Sequence, residues 1–171
     1  MVFDGHWKWE VQKLSWELSI WSKGLFPSKY AEHRINRAIL YSATILRKIV
    51  EDEMEANSLF EERGTQLPHQ FLLHTTLPAI RFLYTGEEGG TFRSKLCSED
   101  YSSGVKVALP VKDVCNWLLH SYVWSLGWSS GKNALNGFFV SSDYDKEKYV
   151  HAIQFSDWQD ILKLCITESA F

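Results

Sequence analysis

The stretch GFFVSSDYDKEKYVHAIQFSDWQDILKLCIT, residues 137–167, decides the fold class because strand, turn and helix signals follow one another in it. Two runs rich in aromatic and β-branched residues, 137–142 and 148–155, flank the polar segment 143–147. Apolar runs of this length around a polar turn are typical of an antiparallel β-hairpin. The sequence therefore predicts two paired strands near its C-terminus.

The end of the same stretch predicts a helix. Ser156 and Gln159 have the spacing of a capping box, in which a serine and a glutamine three positions later satisfy free amides at a helix N-terminus. A final helix over 157–167 follows from this signal.

Three earlier segments carry helical patterns, namely 7–23, 29–62 and 111–126. The break at 24–28 predicts that the first two form an antiparallel helical hairpin with a long second helix. The third is apolar almost all round, which predicts a buried central helix. With a short strand at 105–109, the pattern predicts an α+β fold that is mostly helical and carries a small antiparallel sheet including the C-terminal hairpin.

The length of the chain indicates one domain covering residues 1–171. No repeat or linker divides it. The segment 64–104 is weakly patterned, since Pro68 and Pro78 limit helices and residues 85–90 form a glycine-rich loop. We expect this segment to be mobile or to be ordered by a partner.

Composition excludes several classes of protein. With 45% apolar residues, 23% charged residues and a net charge of −3, the chain resembles neither a disordered protein nor a basic nucleic-acid binder, so a nucleic-acid contact would need a local patch. No apolar run is long enough to span a membrane, and the N-terminus lacks the features of a signal peptide. The three cysteines form no CxxC pair. A cytoplasmic protein without membrane attachment is expected.

The first helix has two apolar faces. Trp9, Trp16 and Ile20 lie together on the side opposite a first apolar stripe. That first stripe has the spacing of a core-facing surface and consists of Trp7, Val11, Leu14, Leu18 and Trp21. Because tryptophan is enriched at binding hot spots, the second face predicts an interaction or assembly module that forms a homo-oligomer or binds a protein partner.

A polar line on the 111–126 helix offers an alternative function. Asp113, Asn116 and His120 follow one another at i, i+3 and i+7 on an otherwise apolar surface. His120 could act as a general acid or base beside Asn116 or Asp113, with Arg34 or Arg37 binding an anionic substrate. The same side chains could instead form a structural hydrogen-bond network with a neighbouring helix. The sequence leaves open whether the protein is an enzyme.

The run Asn116-Trp-Leu-Leu-His120-Ser-Tyr122 resembles the second part of the motif of HEPN ribonucleases. That resemblance implies a catalytic His120, a supporting Asn116 and hydrolysis of a phosphodiester within an all-helical bundle. Cys115 stands where that family has its catalytic arginine, so an arginine such as Arg37 would have to come from elsewhere.

No cofactor or metal site is predicted. His69 and His74 are five positions apart, which suits neither one face of a helix nor one face of a strand, so they do not combine with His151 into a metal site. The glycine-rich segment 85–90 lacks the Lys-Ser/Thr of a phosphate-binding loop.

Overall fold

The computed structural model describes residues 5–22, 29–63, 71–83, 104–120, 124–128, 135–142 and 149–168. In chain order these contain α1 (Gly5–Trp21), α2 (Lys29–Glu62), β1 (Thr76–Leu83), β2 (Val105–Pro110), α3 (Val111–His120), β3 (Trp124–Trp128), β4 (Leu135–Val140), β5 (Tyr149–Gln154) and α4 (Phe155–Glu168). The α+β prediction is confirmed.

The five described strands form one antiparallel sheet in the order β2-β1-β5-β4-β3. The predicted C-terminal hairpin is the β4–β5 pair, in which Phe138 lies opposite Ile153. Side chains alternate between the two faces, so that Phe138 and Ile153 join the main core while Phe139 and Val150 belong to a small cluster on the other face. One face of the sheet therefore carries the helices.

The main core lies between that face and the helical layer. Helix α1 packs on α2 and α4, and α2 also packs on α3. Trp158 of α4 is fully buried and its ring meets Phe138 of β4 edge-on, with centroids 5.5 Å apart. The indole of Trp158 donates a hydrogen bond of 2.9 Å to Ser42 Oγ of α2. These contacts join α2, α4 and the sheet in one core.

The predicted helical hairpin is present. Trp21 meets Tyr30 edge-on near the connection, and farther away Arg34 Nη2 donates to Glu17 Oε1 at 2.9 Å. Between these two contacts the residue number rises in α2, from Tyr30 to Arg34, and falls in α1, from Trp21 to Glu17. The two helices are therefore antiparallel. Glu17 is buried, and the ion pair thus fixes one flank of α1 against α2.

The prediction of a helix over 111–126 is wrong at 124–126, and residues 121–123 lie outside the described part of the chain. Helix α3 ends at His120, and Trp124–Trp128 is the edge strand β3. Helix α3 is also buried on one side only, and that side consists of Val111, Val114, Cys115 and Leu118. The apolar residues of this run have no regular spacing, so the sequence pattern does not distinguish a buried helix from a buried strand.

Part of the weakly patterned segment 64–104 is regular structure. Strand β1 lies between β2 and β5, although it contains Pro78. Proline is tolerated there because β1 pairs with β5 only from Ile80 onward, so Pro78 has β2 on one side alone. The remaining residues of that segment, 64–70 and 84–103, lie outside the described part of the chain.

None of the described helices is both long enough and apolar enough to cross a bilayer. The final helix begins at Phe155, two positions before the predicted start, so Ser156 lies in its first turn.

Candidate functional site

The outer surface of α1 presents three large apolar side chains, Trp9, Trp16 and Ile20, which we call the outer stripe. They are 58%, 63% and 43% exposed. At 100° per residue their positions fall within about 40° of each other around the helix axis. Val11, Leu14 and Leu18, on the opposite side, are buried. The two apolar faces of α1 thus have different surroundings, one the core and the other solvent.

The outer stripe is a sizeable apolar patch. If a whole tryptophan side chain has an area of about 200 Å², the exposed parts of Trp9, Trp16 and Ile20 together have an area of roughly 300 Å². This value is comparable with the largest apolar patch of a typical monomer, and such patches often mark interaction sites.

One cation lies within the outer stripe. Lys13 is exposed, and its Nζ sits 5.2 Å from the centre of the Trp9 ring. A cation at this distance is attracted by the electron-rich face of an indole. At the other end, the Ser19 hydroxyl donates to the carbonyl oxygen of Trp16 at 2.8 Å, so it is turned back onto the helix. Aromatic faces and one ammonium group therefore dominate this surface.

The polar line of α3 lies on the side of the helix that is turned away from the core. Asp113 and Asn116 are half-buried, and His120, the last residue of α3, is exposed. Next to this line, Trp117 stacks on the buried His151 of β5, with ring centroids 5.0 Å apart. The line therefore runs along the surface rather than into the core.

Arg47 of α2 is the arginine that meets His120. Its Nη1 lies 2.7 Å from His120 Nε2, and its Nε donates to Glu51 Oε1 at 2.8 Å. Because a guanidinium can only donate, His120 Nε2 must accept, and the ring proton sits on Nδ1. The imidazole lone pair that a general base would use is thus bound to Arg47.

The two arginines suggested by the sequence lie elsewhere. Arg34 is paired with Glu17 of α1. Arg37 is exposed and precedes Arg47 by ten positions on α2, about 15 Å along the helix axis. The sequence pattern gave no sign that Arg47 contacts His120, because this contact joins two helices that are far apart in the chain.

Stacking and pairing also bring other polar residues to the helix-bearing face of the sheet. Arg81 of β1 lies opposite His151 of β5 and stands over the Tyr149 ring, 4.8 Å from its centre.

The described residues contain no group of three or more His, Cys, Asp or Glu side chains that could hold a metal ion. Of the three histidines weighed as metal ligands, His74 is exposed and His151 is buried, and His69 lies outside the described residues.

A buried carboxylate holds the segment before β1. Glu53 of α2 accepts backbone N–H groups from Phe71, Leu72 and Leu73, the shortest at 2.7 Å from Leu73. Burial raises the pKa of Glu53 above its usual 4.5, and the three amides and the charge of His74 oppose that rise. Glu53 therefore anchors the start of β1 on α2.

Two buried thiols are unreactive. Burial raises the pKa of Cys165 to about 12, and the Glu53 carboxylate adds to the rise. Burial likewise raises the pKa of Cys115 above its ordinary 9.0, with Cys165 contributing. Since the thiolate is the reactive form, neither side chain can serve as a nucleophile at neutral pH. Cys97 lies outside the described residues.

The contact between Arg47 and His120 is expected to contribute little to stability. Arg47 is one-third exposed and His120 is exposed, so water competes for both groups. We expect a double-mutant cycle with Arg47→Gln and His120→Asn to give a coupling free energy below about 1 kcal/mol by urea unfolding. A coupling of several kcal/mol would show instead that the pair is a main structural contact.

The chain matches no protein-family model, no curated protein and no solved structure.

Proposed function

We propose that this protein is an interaction module that self-associates through the outer stripe of α1. The observation that carries the proposal is the exposure of Trp9, Trp16 and Ile20 on the side of α1 opposite its core contacts. Indole rings bury a large area for a small loss of side-chain entropy, which makes them effective anchors in interfaces.

The area of the stripe bounds the strength of this association. Two copies would bury roughly 600 Å² from the stripe alone, whereas stable interfaces bury about 1,200–2,000 Å² in total. The flanks of α1 must supply the rest, and we expect a reversible, concentration-dependent complex with a dissociation constant in the micromolar range.

The chemistry of the surface favours a protein partner in the cytoplasm. The net charge of −3 gives no general attraction for nucleic acid. The buried thiols of Cys115 and Cys165 are compatible with a reducing compartment.

The proposal is tested by the solution mass of the protein over a range of concentrations from about 1 to several hundred micromolar. Light scattering of the wild-type chain is expected to show a rise from monomer to dimer. The double variant Trp9→Ser, Trp16→Ser is expected to remain monomeric because most of the apolar area of the stripe is removed.

The matched control is Leu59→Ser with Val105→Ser. These side chains are 48% and 56% exposed and lie on α2 and β2, away from the stripe. This variant removes exposed apolar surface without changing α1, so it should associate as the wild type does. A wild-type protein that stays monomeric throughout the range would disprove the proposal.

A second candidate function is hydrolysis of an anionic substrate such as a phosphodiester. The contact between Arg47 and His120 supports it, because it brings a guanidinium and an imidazole together at an exposed position. A phosphate bound by Arg47 would draw the guanidinium away from His120 Nε2, which would then be free to take a proton from an attacking water. The water oxygen bonds to phosphorus as the bond from phosphorus to the leaving alkoxide breaks, and His120 returns the proton to that alkoxide. Asn116 lies one turn before His120 on α3 and Asp113 lies two turns before it, whereas Arg37 is about 15 Å from Arg47 along α2 and has no part in this step.

This second function is tested by cleavage of a single-stranded RNA oligonucleotide. His120→Asn and Arg47→Gln should each abolish cleavage, whereas Arg37→Gln should not affect it. Equal cleavage by all the variants would assign the activity to a contaminant and remove the candidate.

A further inference from the structure

The outer stripe and Lys13 together form a line of residues along α1 that spans about 60° around its axis. Around the axis Lys13 lies about 40° from Trp9, and along the axis the four positions 9, 13, 16 and 20 are spaced at about 0, 6, 10.5 and 16.5 Å. The midpoint of this line falls between positions 14 and 15. A two-fold axis through that midpoint maps position 9 onto 20 and position 13 onto 16.

The direction of pairing decides what meets Lys13. In a parallel pair of α1 helices the two Lys13 ammonium groups would face each other, which is unfavourable. In an antiparallel pair, each Lys13 lies level with Trp16 of the other copy, and Trp9 lies level with Ile20. The antiparallel arrangement therefore replaces a repulsion between like charges by two contacts between a cation and an indole.

We infer that two copies of this chain pair through α1 in an antiparallel, two-fold arrangement, with each Lys13 against the Trp16 ring of the second copy. This inference rests on the proposed self-association and names its geometry. A two-fold interface uses one surface twice, and the line formed by Trp9, Lys13, Trp16 and Ile20 complements itself in this way. The ammonium of Lys13, which already stands over Trp9, then lies between two indoles.

The role of Lys13 separates this arrangement from other uses of the stripe. If the stripe bound only by its apolar area, replacing Lys13 by an uncharged side chain would leave association unchanged or strengthen it. In the antiparallel pair the same change removes two favourable contacts. The sign of the effect is thus diagnostic.

The experiment measures the dimer dissociation constant by sedimentation equilibrium for Lys13→Gln, Lys13→Arg and the control Lys8→Gln. Lys13→Gln should weaken the dimer about five- to thirtyfold, and Lys13→Arg should restore it, because arginine also binds to an indole face. Lys8 lies about 100° from the stripe on α1, so Lys8→Gln removes the same charge and should have little effect.

The outcomes distinguish the inference from the function on which it rests. A wild-type dimer that Lys13→Gln leaves unchanged or tightens overturns the antiparallel arrangement and keeps the self-association. A weakening as large with Lys8→Gln as with Lys13→Gln assigns the effect to net charge and also overturns the arrangement. A monomeric wild type overturns both.

Discussion

Glu53→Ala is expected to destabilise the protein by about 3 kcal/mol, because it removes the acceptor of three backbone amides at once. A buried donor without a partner costs about 1–3 kcal/mol. Leu72 is buried, whereas Phe71 and Leu73 are half-buried, so their amides can turn toward water. The sum is therefore less than three full penalties. Urea unfolding followed by circular dichroism measures the loss.

Two further variants separate the hydrogen bonds from the charge. Glu53→Gln keeps one acceptor oxygen and no longer buries a charge, so we expect a smaller loss of about 1–2 kcal/mol. Glu55→Gln changes an exposed carboxylate one half-turn farther along α2 and should stay within about 0.5 kcal/mol. Hydrogen exchange adds a local readout, since the Leu73 amide should exchange faster in Glu53→Ala. An unchanged Leu73 exchange rate would contradict the anchoring role.

The pH dependence of this effect has a definite sign. Since burial raises the pKa of Glu53, the folded chain holds a proton in a range where the unfolded chain has released it. Stability contributed by the protonated form is present below the usual pKa of 4.5 and is lost as the pH rises through the higher pKa of the folded state. The stability of the wild type relative to Glu53→Gln should therefore fall across that interval. A rise would mean that the three amides outweigh burial.

Local sequence patterns were enough to predict the long helix and the C-terminal hairpin. The predicted helix over 29–62 coincides with α2, whose buried face includes the polar residues Ser42 and Glu53. The two apolar runs around the polar segment 143–147 predicted β4 and β5. Both signals are local, so they did not depend on how the elements pack.

Elements whose pattern depends on tertiary packing were predicted less well. Strand β3 follows α3 within one apolar run, and a run that is buried on several sides shows no period. Strand β1 contains Pro78, which argues against a strand unless the neighbouring strand is known to be shorter. The candidate site residues differ in the same way, according to whether their position depends on tertiary packing. The outward direction of Trp9 and Trp16 follows from helix geometry, whereas the pairing of Arg47 with His120 depends on how α2 and α3 pack.

Trp158→Ala is expected to cost about 3–5 kcal/mol, a large part of the stability of a domain of this size. Trp158 is fully buried, packs edge-on against Phe138, and donates from Nε1 to Ser42 Oγ, which in turn donates to the Ile39 carbonyl at 2.8 Å. Its removal leaves a cavity where α2, α4 and the sheet meet. Thermal and urea unfolding should both report the loss, while the exposed Trp16→Ala should change stability by less than about 1 kcal/mol.

A double-mutant cycle isolates the hydrogen bond within that core. Ser42→Ala leaves the buried indole N–H without an acceptor and should cost about 1–3 kcal/mol, and Trp158→Phe leaves a smaller ring with no donor. In the Trp158→Phe background the hydrogen bond is already absent, so Ser42→Ala removes less there than it does in the wild type. The total loss in the double variant should therefore be about 1 kcal/mol smaller than the sum of the two single losses. Strict additivity would mean that the ring shape of Trp158, and not its bond to Ser42, holds α4 against α2.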